Sequence, residues 1–396
     1  MRTLALALLV ILLGACVSAS TQQQPLLVGA VYPLSGPQAP GGKEELAGVK
    51  AALQLAAGRP IDLRVVDVTT PEQARTAVEK LHSQGAAVIV GTYGSTLAEA
   101  AAGRAEQLKT VYWETGAVAD AITVNHHYVF RTVATGSTLG RTAADFSASL
   151  GGGRAVIVHV DDVYGNSVAE GERARARQLG LEVVDTIAYS PAAFDPGSIA
   201  ARLAADRPDF LWDVSYIDDG IAIWRDVVAR GLKLKAAVGT SSAFCMPDFG
   251  RRLGDLAIGV FAADKPDGAA GESALNPDGR ALLARARHAY AALTGQQEMT
   301  IPAVAGFVGG WVLFHEVLAK LGGPVNAEVI RRAAYAVKLP PGSMINGGGV
   351  QFAPDGSYDA GQNRRAPAVV GQWQAGVQMK VVYPAAYATA QPVVSP

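Results

Sequence analysis

The sequence has few charged residues and no cluster of basic ones. Lysine and arginine number 34 and aspartate and glutamate 35, so the formal net charge of the 396 residues is −1. Nucleic-acid binding needs clustered basic side chains, and we therefore expect no nucleic-acid partner. The chain contains only two cysteines, Cys16 and Cys245. Because Cys16 lies in a targeting segment, no intramolecular disulfide is expected, and Cys245 is interpreted as a buried inert thiol.

Motifs of catalysis and metal binding are also missing. The sequence has no Gly-x-Ser-x-Gly, no phosphate loop with lysine and no dinucleotide fingerprint. His126 and His127 are adjacent, and adjacent strand residues point to opposite faces, so they cannot easily share an ion. The segment 355–359 is similar to the start of a calcium loop, but Ala360 stands where the loop needs glycine. We therefore predict no enzyme activity, no cofactor and no metal.

Apolar residues are abundant, at 49% of the chain against 17% charged, and this length favours two domains over one core. At the N-terminus, Arg2 precedes an apolar run over 4–13 and then Leu13-Gly14-Ala15-Cys16. The run is too short to span a bilayer and is typical of a secretory signal. Its end resembles the lipobox of bacterial lipoproteins, in which the cysteine is acylated. An ordinary signal peptide with a chance cysteine is the alternative.

Downstream of this segment, apolar β-branched runs alternate with helical patterns. The first group of strands is expected at 26–31, 61–66, 86–90, 110–113 and 128–132, with helices at 44–57, 71–84 and 97–108. A second series has strands at 155–159, 181–189, 210–214, 236–239 and 258–261. This alternation predicts an α/β chain with two parallel sheets, each covered on both faces. Helices at 278–293, 301–321 and 326–337 are expected to cover the first unit, before strands near 349–352 and 366–373 and a final hairpin at 377–382.

The segment Gly91-Thr92-Tyr93-Gly94-Ser95-Thr96 is the first candidate site. It lies between a buried strand and a helix, and Ser95 or Thr96 is expected to cap that helix. Free N–H groups at such a helix start, together with the helix dipole, favour a carboxylate. The alternative is that Ser95 only caps its helix.

Five segments carry a resemblance to a known family. They are Pro33-Leu34-Ser35-Gly36-Pro37, the 91–96 loop, Asp162-Val163-Tyr164-Gly165 and Pro354-Asp355-Gly356, with Gly371-Gln372-Trp373 near the end. In order and spacing they resemble type I periplasmic solute-binding proteins of ABC importers, the leucine/isoleucine/valine-binding group. The resemblance covers about 26–384. It implies two Rossmann-like lobes joined by a three-crossover hinge that closes on a small ligand.

The predicted domain boundaries follow from this resemblance. Residues 1–15 are expected to be a lipoprotein signal peptide and 16–25 a lipidated tether attached at Cys16. Lobe 1 is expected to comprise 26–135 and 264–339, lobe 2 to comprise 136–263 and 340–384, and 385–396 to form a tail.

The resemblance also implies a set of ligand contacts. Ser95, in the loop that contains Tyr93, matches a residue that holds the ligand carboxylate, with Thr96 adjacent to it, and Ala117 matches a backbone contact. Tyr164 matches a tyrosine that lies over the ligand, and Tyr216 falls near the position of a second such aromatic residue.

Two departures from the family pattern bear on the ligand. Thr240 and Ser241 are neutral where members that bind α-amino acids commonly have an acid, and a buried ammonium without a counter-charge is costly. Glu114 or Asp213 could restore that charge, although a cap or an inter-lobe hydrogen bond is the alternative for each. The first loop, 38–42, is small and leaves room in the cleft, unless other side chains fill it.

The sequence thus predicts a periplasmic or cell-surface lipoprotein that captures a small polar solute and delivers it to an ABC transporter permease. A branched-chain amino acid or a related carboxylate or amide is the expected solute, and a monomer the expected state. The main alternative is a lipoprotein of the same fold that regulates a partner protein without binding a solute. An enzyme is a weaker alternative.

Overall fold

The computed structural model describes residues 24–267 and 270–394. The predicted signal peptide, Cys16 and nearly all of the predicted tether lie outside these residues. The first sheet contains five parallel strands in the order β2-β1-β3-β4-β5. These strands are β1 Leu26–Tyr32, β2 Ile61–Asp67, β3 Val88–Gly91, β4 Val111–Glu114 and β5 Val129–Arg131. The intervening helices are α1 Ala39–Leu55, α2 Pro71–Ser83 and α3 Ser95–Gln107.

The second sheet contains seven strands, and its parallel part is built from the second βα series. Its helices are α4 Gly136–Ser149, α5 Val163–Leu179, α6 Pro196–Asp206, α7 Ile217–Ala229 and α8 Pro247–Leu253. Its parallel strands are β6 Arg154–Val160, β7 Glu182–Tyr189, β8 Phe210–Val214, β9 Ala236–Thr240 and β10 Phe261–Asp264. Each sheet has a buried hydrophobic cluster on both faces, which confirms the predicted α/β fold with two parallel-sheet lobes.

The last third of the chain is divided between the two sheets. Helices α9 Pro277–Thr294, α10 Ile301–Trp311 and α11 Ala327–Ala336 are followed by a two-stranded ribbon, β11 Lys338–Leu339 and β12 Val350–Gln351. Strands β13 Val369–Gln374 and β14 Gln378–Tyr383 then join the edge of the second sheet in antiparallel pairing. The chain therefore passes between the sheets after β5, after β10 and between β12 and β13.

The packing places the last of these passages later than the predicted boundary at residue 340. Met344, Ile345, Val350 and Phe352 all belong to the hydrophobic cluster that lies against the first sheet. Segment 340–352 therefore packs with the first lobe, because its apolar side chains complete that core.

Helix α10 packs closely on α1 through small residues. A Cβ atom at Gly48 would lie 2.0 Å from the Ala303 carbonyl oxygen, and one at Gly306 would lie 2.0 Å from that of Glu45. The helical segment Ile301–Lys320 is long and apolar enough to cross a membrane, yet 83% of its apolar window is buried inside this lobe. It is therefore a core helix. The sequence predicted one helix over 301–321, but the α-helical part ends at Trp311 and a π-helical turn follows at Val312–Val317.

Helix α1 begins earlier than the sequence predicts. It starts at Ala39 and includes Gly41 and Gly42, whereas the expected start was near Glu44. Two glycines in a first turn disfavour a helix by intrinsic propensity. Here they are required by close packing, since a Cβ at Gly42 would lie 2.1 Å from the Pro33 carbonyl oxygen.

Candidate functional site

A cavity of about 340 Å³ lies between the two lobes, at the carboxyl ends of the parallel strands. This edge is where α/β sheets usually bind ligands. The first lobe contributes Gln38, Gly41 and Tyr93 to the wall, and the second contributes Tyr216, Ser242 and Met246. Both lobes therefore contribute to the wall of this cavity.

Tyr93 fills the space that the small first loop leaves open. A Cβ atom at Gly41 would lie 2.3 to 2.6 Å from carbons of the Tyr93 ring, so no side chain fits there. The Tyr93 hydroxyl lies 3.7 Å from the Met246 sulfur in the second lobe. The expectation that segment 38–42 leaves room is therefore corrected in part: Tyr93, from the loop after β3, takes the space beside Gly41.

The start of α3 differs from the predicted cap. Gly94, at φ 95°, is the N-cap residue, and no side chain caps the helix. Ser95 is the first helical residue, and its buried hydroxyl accepts a hydrogen bond from Ala119 N at 3.1 Å. The predicted cap by Ser95 or Thr96 is wrong because the glycine adopts the cap position. Thr96 instead lies beside the Tyr216 hydroxyl, across the cleft.

Glu114 is buried at the end of β4 and accepts four hydrogen bonds. Its carboxylate receives the N–H groups of Gly116 and Ala117, both at 2.7 Å, and of Thr92 at 3.1 Å. The Tyr112 hydroxyl donates at 2.9 Å. Burial raises the pKa of Glu114, and the backbone donors oppose that shift. Glu114 thus ties the loops after β3 and β4 together and takes the N–H group of Ala117, which was expected to contact a ligand.

Behind Glu114 lies a second buried acid, Glu45 on α1, that sequence reasoning missed. It accepts a hydrogen bond from the Thr115 hydroxyl at 2.5 Å, and that hydroxyl also bonds Tyr32 at 2.6 Å. Burial, followed by the charge of Glu114, raises the pKa of Glu45. Glu45 is one acid among the charged residues of a helix, and only the packing of α1 shows where it points.

Lys265 is a buried cation that joins the lobes, and sequence reasoning missed it as well. Its ammonium is 3.1 Å from both the Asp264 carboxylate and the Ser241 hydroxyl, and 3.4 Å from the Gly116 carbonyl oxygen in the first lobe. Only 5% of Lys265 is exposed. The position of this acid–base pair directly after a strand, where the chain leaves the second sheet, was the available signal.

The predicted residues of the second lobe mostly bond to one another. Tyr164 is buried, and its hydroxyl donates to the Ser241 carbonyl oxygen and shares a hydrogen bond of 3.0 Å with Thr240. Its ring lies 5.5 Å from that of Tyr216. The Tyr216 hydroxyl donates to the Asp162 carboxylate at 2.7 Å, which holds the ring at the cavity wall. Tyr93 and Tyr216 are the predicted site residues that line the cavity.

Asp213 is also buried, at the end of β8, but it has far fewer donors than Glu114. Ser215 donates to one carboxylate oxygen, and the other has no partner within the described residues. Burial is the main cause that raises the pKa of Asp213 to about 8. Asp213 does not line the cavity.

Acidic residues that the sequence did not single out do line the cavity. Asp218 pairs with Arg252 at 2.5 Å and Asp248 pairs with Arg251 at 2.8 Å. Asp219, in the first turn of α7, accepts a hydrogen bond from the Tyr189 hydroxyl at 3.1 Å. Among the described residues, no group of three or more potential metal ligands forms a metal site.

Two α/β lobes, three connections and a cavity between the strand ends define a two-lobed ligand-binding protein. The chain belongs to the periplasmic binding protein family, whose model matches residues 25–376. This membership confirms the resemblance seen in the sequence.

Relatives with similar sequences or structures agree with this assignment. A Leu/Ile/Val-binding protein homolog 8 of Brucella abortus is 29% identical over 374 residues, which cover 90% of each chain. A solute-binding protein of an ABC transporter from R. palustris, solved in complex with benzoate, superposes with a TM-score of 0.77 at 22% identity, covering 94% of this chain and 99% of that one. A leucine-binding protein from Thermotoga maritima superposes with a TM-score of 0.78 at 17% sequence identity. The superposition covers 90% of this chain and 97% of that one.

Proposed function

We propose that this chain is the extracytoplasmic substrate-binding lipoprotein of an ABC importer. It captures a small polar solute between its lobes and presents the closed form to a membrane permease. Ligand that contacts both lobes stabilises the closed arrangement, because binding shifts the population toward the state that it contacts best. Cys16 would carry the lipid that keeps the protein at the membrane.

The observation that carries this proposal is the cavity whose wall comes from both lobes. Tyr93 and Tyr216 face it from opposite sides, and its volume of about 340 Å³ suits a molecule the size of an amino acid or a monocyclic acid. Relatives named for leucine, isoleucine and valine, and a similar structure solved with benzoate, support the same size class.

The alternative, a lipoprotein that regulates a partner without binding a solute, would be favoured by a plugged cleft. Tyr93 does fill the space beside Gly41, so part of the expected room is gone. The remaining cavity favours solute binding over this alternative.

A thermal-shift screen tests the proposal. The chain from Gln22 onward would be refolded to remove carried-over ligand and screened against amino acids, carboxylates, amides, amines and polyols. A solute at about 100 times its Kd should add roughly 2.7 kcal/mol to the free energy of unfolding, which raises Tm by a few degrees. No shift with any compound would favour the partner-protein alternative.

A separate experiment tests the anchor. The full-length chain, expressed in a bacterium with its own signal segment, should partition with membranes, whereas the C16S variant should be released in soluble form. Mass spectrometry of the N-terminal peptide should show acylation at Cys16. Release of both proteins in unmodified form would contradict lipidation while leaving solute binding intact.

A further inference from the structure

The cavity wall contributed by the second lobe is acidic. Asp218, Asp219 and Asp248 all line it, and no lysine or arginine lies among its lining residues. The guanidinium groups of Arg252 and Arg251 pair with Asp218 and Asp248 from outside the cavity. These two acids are therefore largely neutralised, whereas Asp219 has no arginine or lysine paired with it among the described residues.

Asp219 forms no ion pair within the described part of the chain, where its hydrogen-bond donor is the Tyr189 hydroxyl at 3.1 Å. Acids are common in the first turn of a helix, where the helix dipole stabilises them. The helix dipole would also stabilise a carboxylate that faces outward into solvent. Asp219 is instead half-buried and lines the cavity.

Two aromatic rings and a thioether complete the wall around this charge. Tyr216 lies three residues before Asp219 and lines the cavity, and its hydroxyl is occupied by the hydrogen bond that it donates to Asp162. Tyr93 faces it from the other lobe, beside Met246. The faces of tyrosine rings attract cations, and an acid beside such faces strengthens that attraction.

We infer that the solute carries a cationic amino or quaternary ammonium group, which Asp219 holds between the rings of Tyr93 and Tyr216. This inference rests on the proposed function and narrows its solute class. Asp219 supplies the counter-charge that Thr240 and Ser241 do not. A solute whose only charge is a carboxylate would place that charge against an acidic wall at an energetic cost.

The structure solved with benzoate shares the fold at 22% identity, so its ligand does not define the chemistry of this cavity. Glu114 gives a second reason to expect a cation rather than a carboxylate as the charged group of the solute. Its carboxylate already takes the N–H groups of Thr92, Gly116 and Ala117, and the backbone of Ala117 was expected to contact the ligand. A second anion there would be repelled by the first whenever Glu114 is ionised.

Matched pairs of solutes test the inference by isothermal titration calorimetry. Isoamylamine would be compared with isovalerate, and benzylamine with benzoate, because each pair shares its apolar part and differs in the sign of its charge. We expect the better amine to bind at least about tenfold more tightly than its matched acid, a difference of about 1.4 kcal/mol.

The matched variants are D219N and D218N. Both remove one acid from the cavity wall, but Asp218 is exposed and paired with Arg252. D219N should weaken binding of the amine by about tenfold or more, while D218N should change it by less than about threefold. Unfolding midpoints of the ligand-free variants, measured in parallel, check that neither change acts through the fold.

Tighter binding of the acids, or amine binding unchanged in D219N, would overturn the inference and leave the proposed function standing. If no compound of the panel or of the thermal-shift screen binds, the proposed function itself fails, and the inference fails with it.

Discussion

Glu114 and Asp213 are both buried acids at the carboxyl ends of central strands, one in each lobe, and they are held in opposite ways. Glu114 accepts three backbone N–H groups and a tyrosine hydroxyl. Asp213 accepts one serine hydroxyl, and its second oxygen has no partner within the described residues. A buried acid at a strand end therefore holds two loops together in the first lobe, whereas in the second lobe it has a single hydrogen-bond donor.

The difference shows that burial and strand position do not define what an acid does. A buried acceptor with four donors holds loops in place, and its removal leaves those donors unsatisfied. A buried acceptor with one donor gains little from ionisation and stays protonated to higher pH. The two acids therefore respond differently to mutation and to pH.

Replacing Glu114 by alanine should have the largest effect on stability. Three backbone N–H groups and the Tyr112 hydroxyl would lose their acceptor in a buried place, and each unsatisfied group costs about 1–3 kcal/mol. We expect the free energy of unfolding to fall by about 3 kcal/mol or more, measured by urea denaturation. The exposed-surface control D62A should change it by less than about 1 kcal/mol. Equal losses in the two variants would contradict the assigned role.

The second-largest effect is expected for Asp213, in the way that the free energy of unfolding depends on pH. Its folded pKa of about 8 lies above the usual aspartate value of 3.8, so its contribution to stability is fully present at pH below 3.8 and is lost as pH rises toward 8. In that window each such group costs about 1.4 kcal/mol per pH unit. D213N should therefore flatten the decline of stability between pH 5 and 8, measured by urea denaturation at each pH. The raised pKa values of Glu45 and Glu114 act in the same direction and should leave a residual slope. An unchanged slope in D213N would show that Asp213 does not titrate there.

Removing Ser215 should have a moderate effect that depends on pH. The hydroxyl donates to Asp213 and stabilises its ionised form, so S215A should cost about 1–2 kcal/mol above pH 8, where that form is populated. Below pH 6 the acid is protonated and the loss should be smaller. S215T, which keeps a hydroxyl, is the matched control. A loss that is equal at both pH values would indicate a packing defect instead.

The smallest effect is expected for Y112F in the first lobe. Thr92 N remains bonded to the same Glu114 oxygen, so one lost donor among four should cost about 0.5–1.5 kcal/mol. The measurement is the urea midpoint at pH 7, beside E114A. A loss as large as that of E114A would mean that the tyrosine alone holds Glu114, and would remove the contrast between the lobes.

Local patterns in the sequence were sufficient for the order of elements and the class of fold. Pro71 begins α2 as expected, with Thr70 as its cap, because both residues act within one turn of helix. Alternating apolar runs and amphipathic segments determined the two parallel sheets, since that periodicity is read over a few residues. Of the predicted site residues, Tyr93 and Tyr216 line the cavity.

The chemistry of the cavity required the tertiary structure, because it depends on residues that are far apart in sequence. Glu114 and Asp213 share a sequence context, and only the count of donors around each separates them. Gly41 leaves room at the start of α1, yet Tyr93, from a loop 52 positions later, fills that room. The counter-charge was expected at a strand end, and the cavity instead presents Asp219 from the first turn of a helix. Sequence determines which elements form, through interactions within a turn or a strand; packing between lobes decides which side chains face the same space.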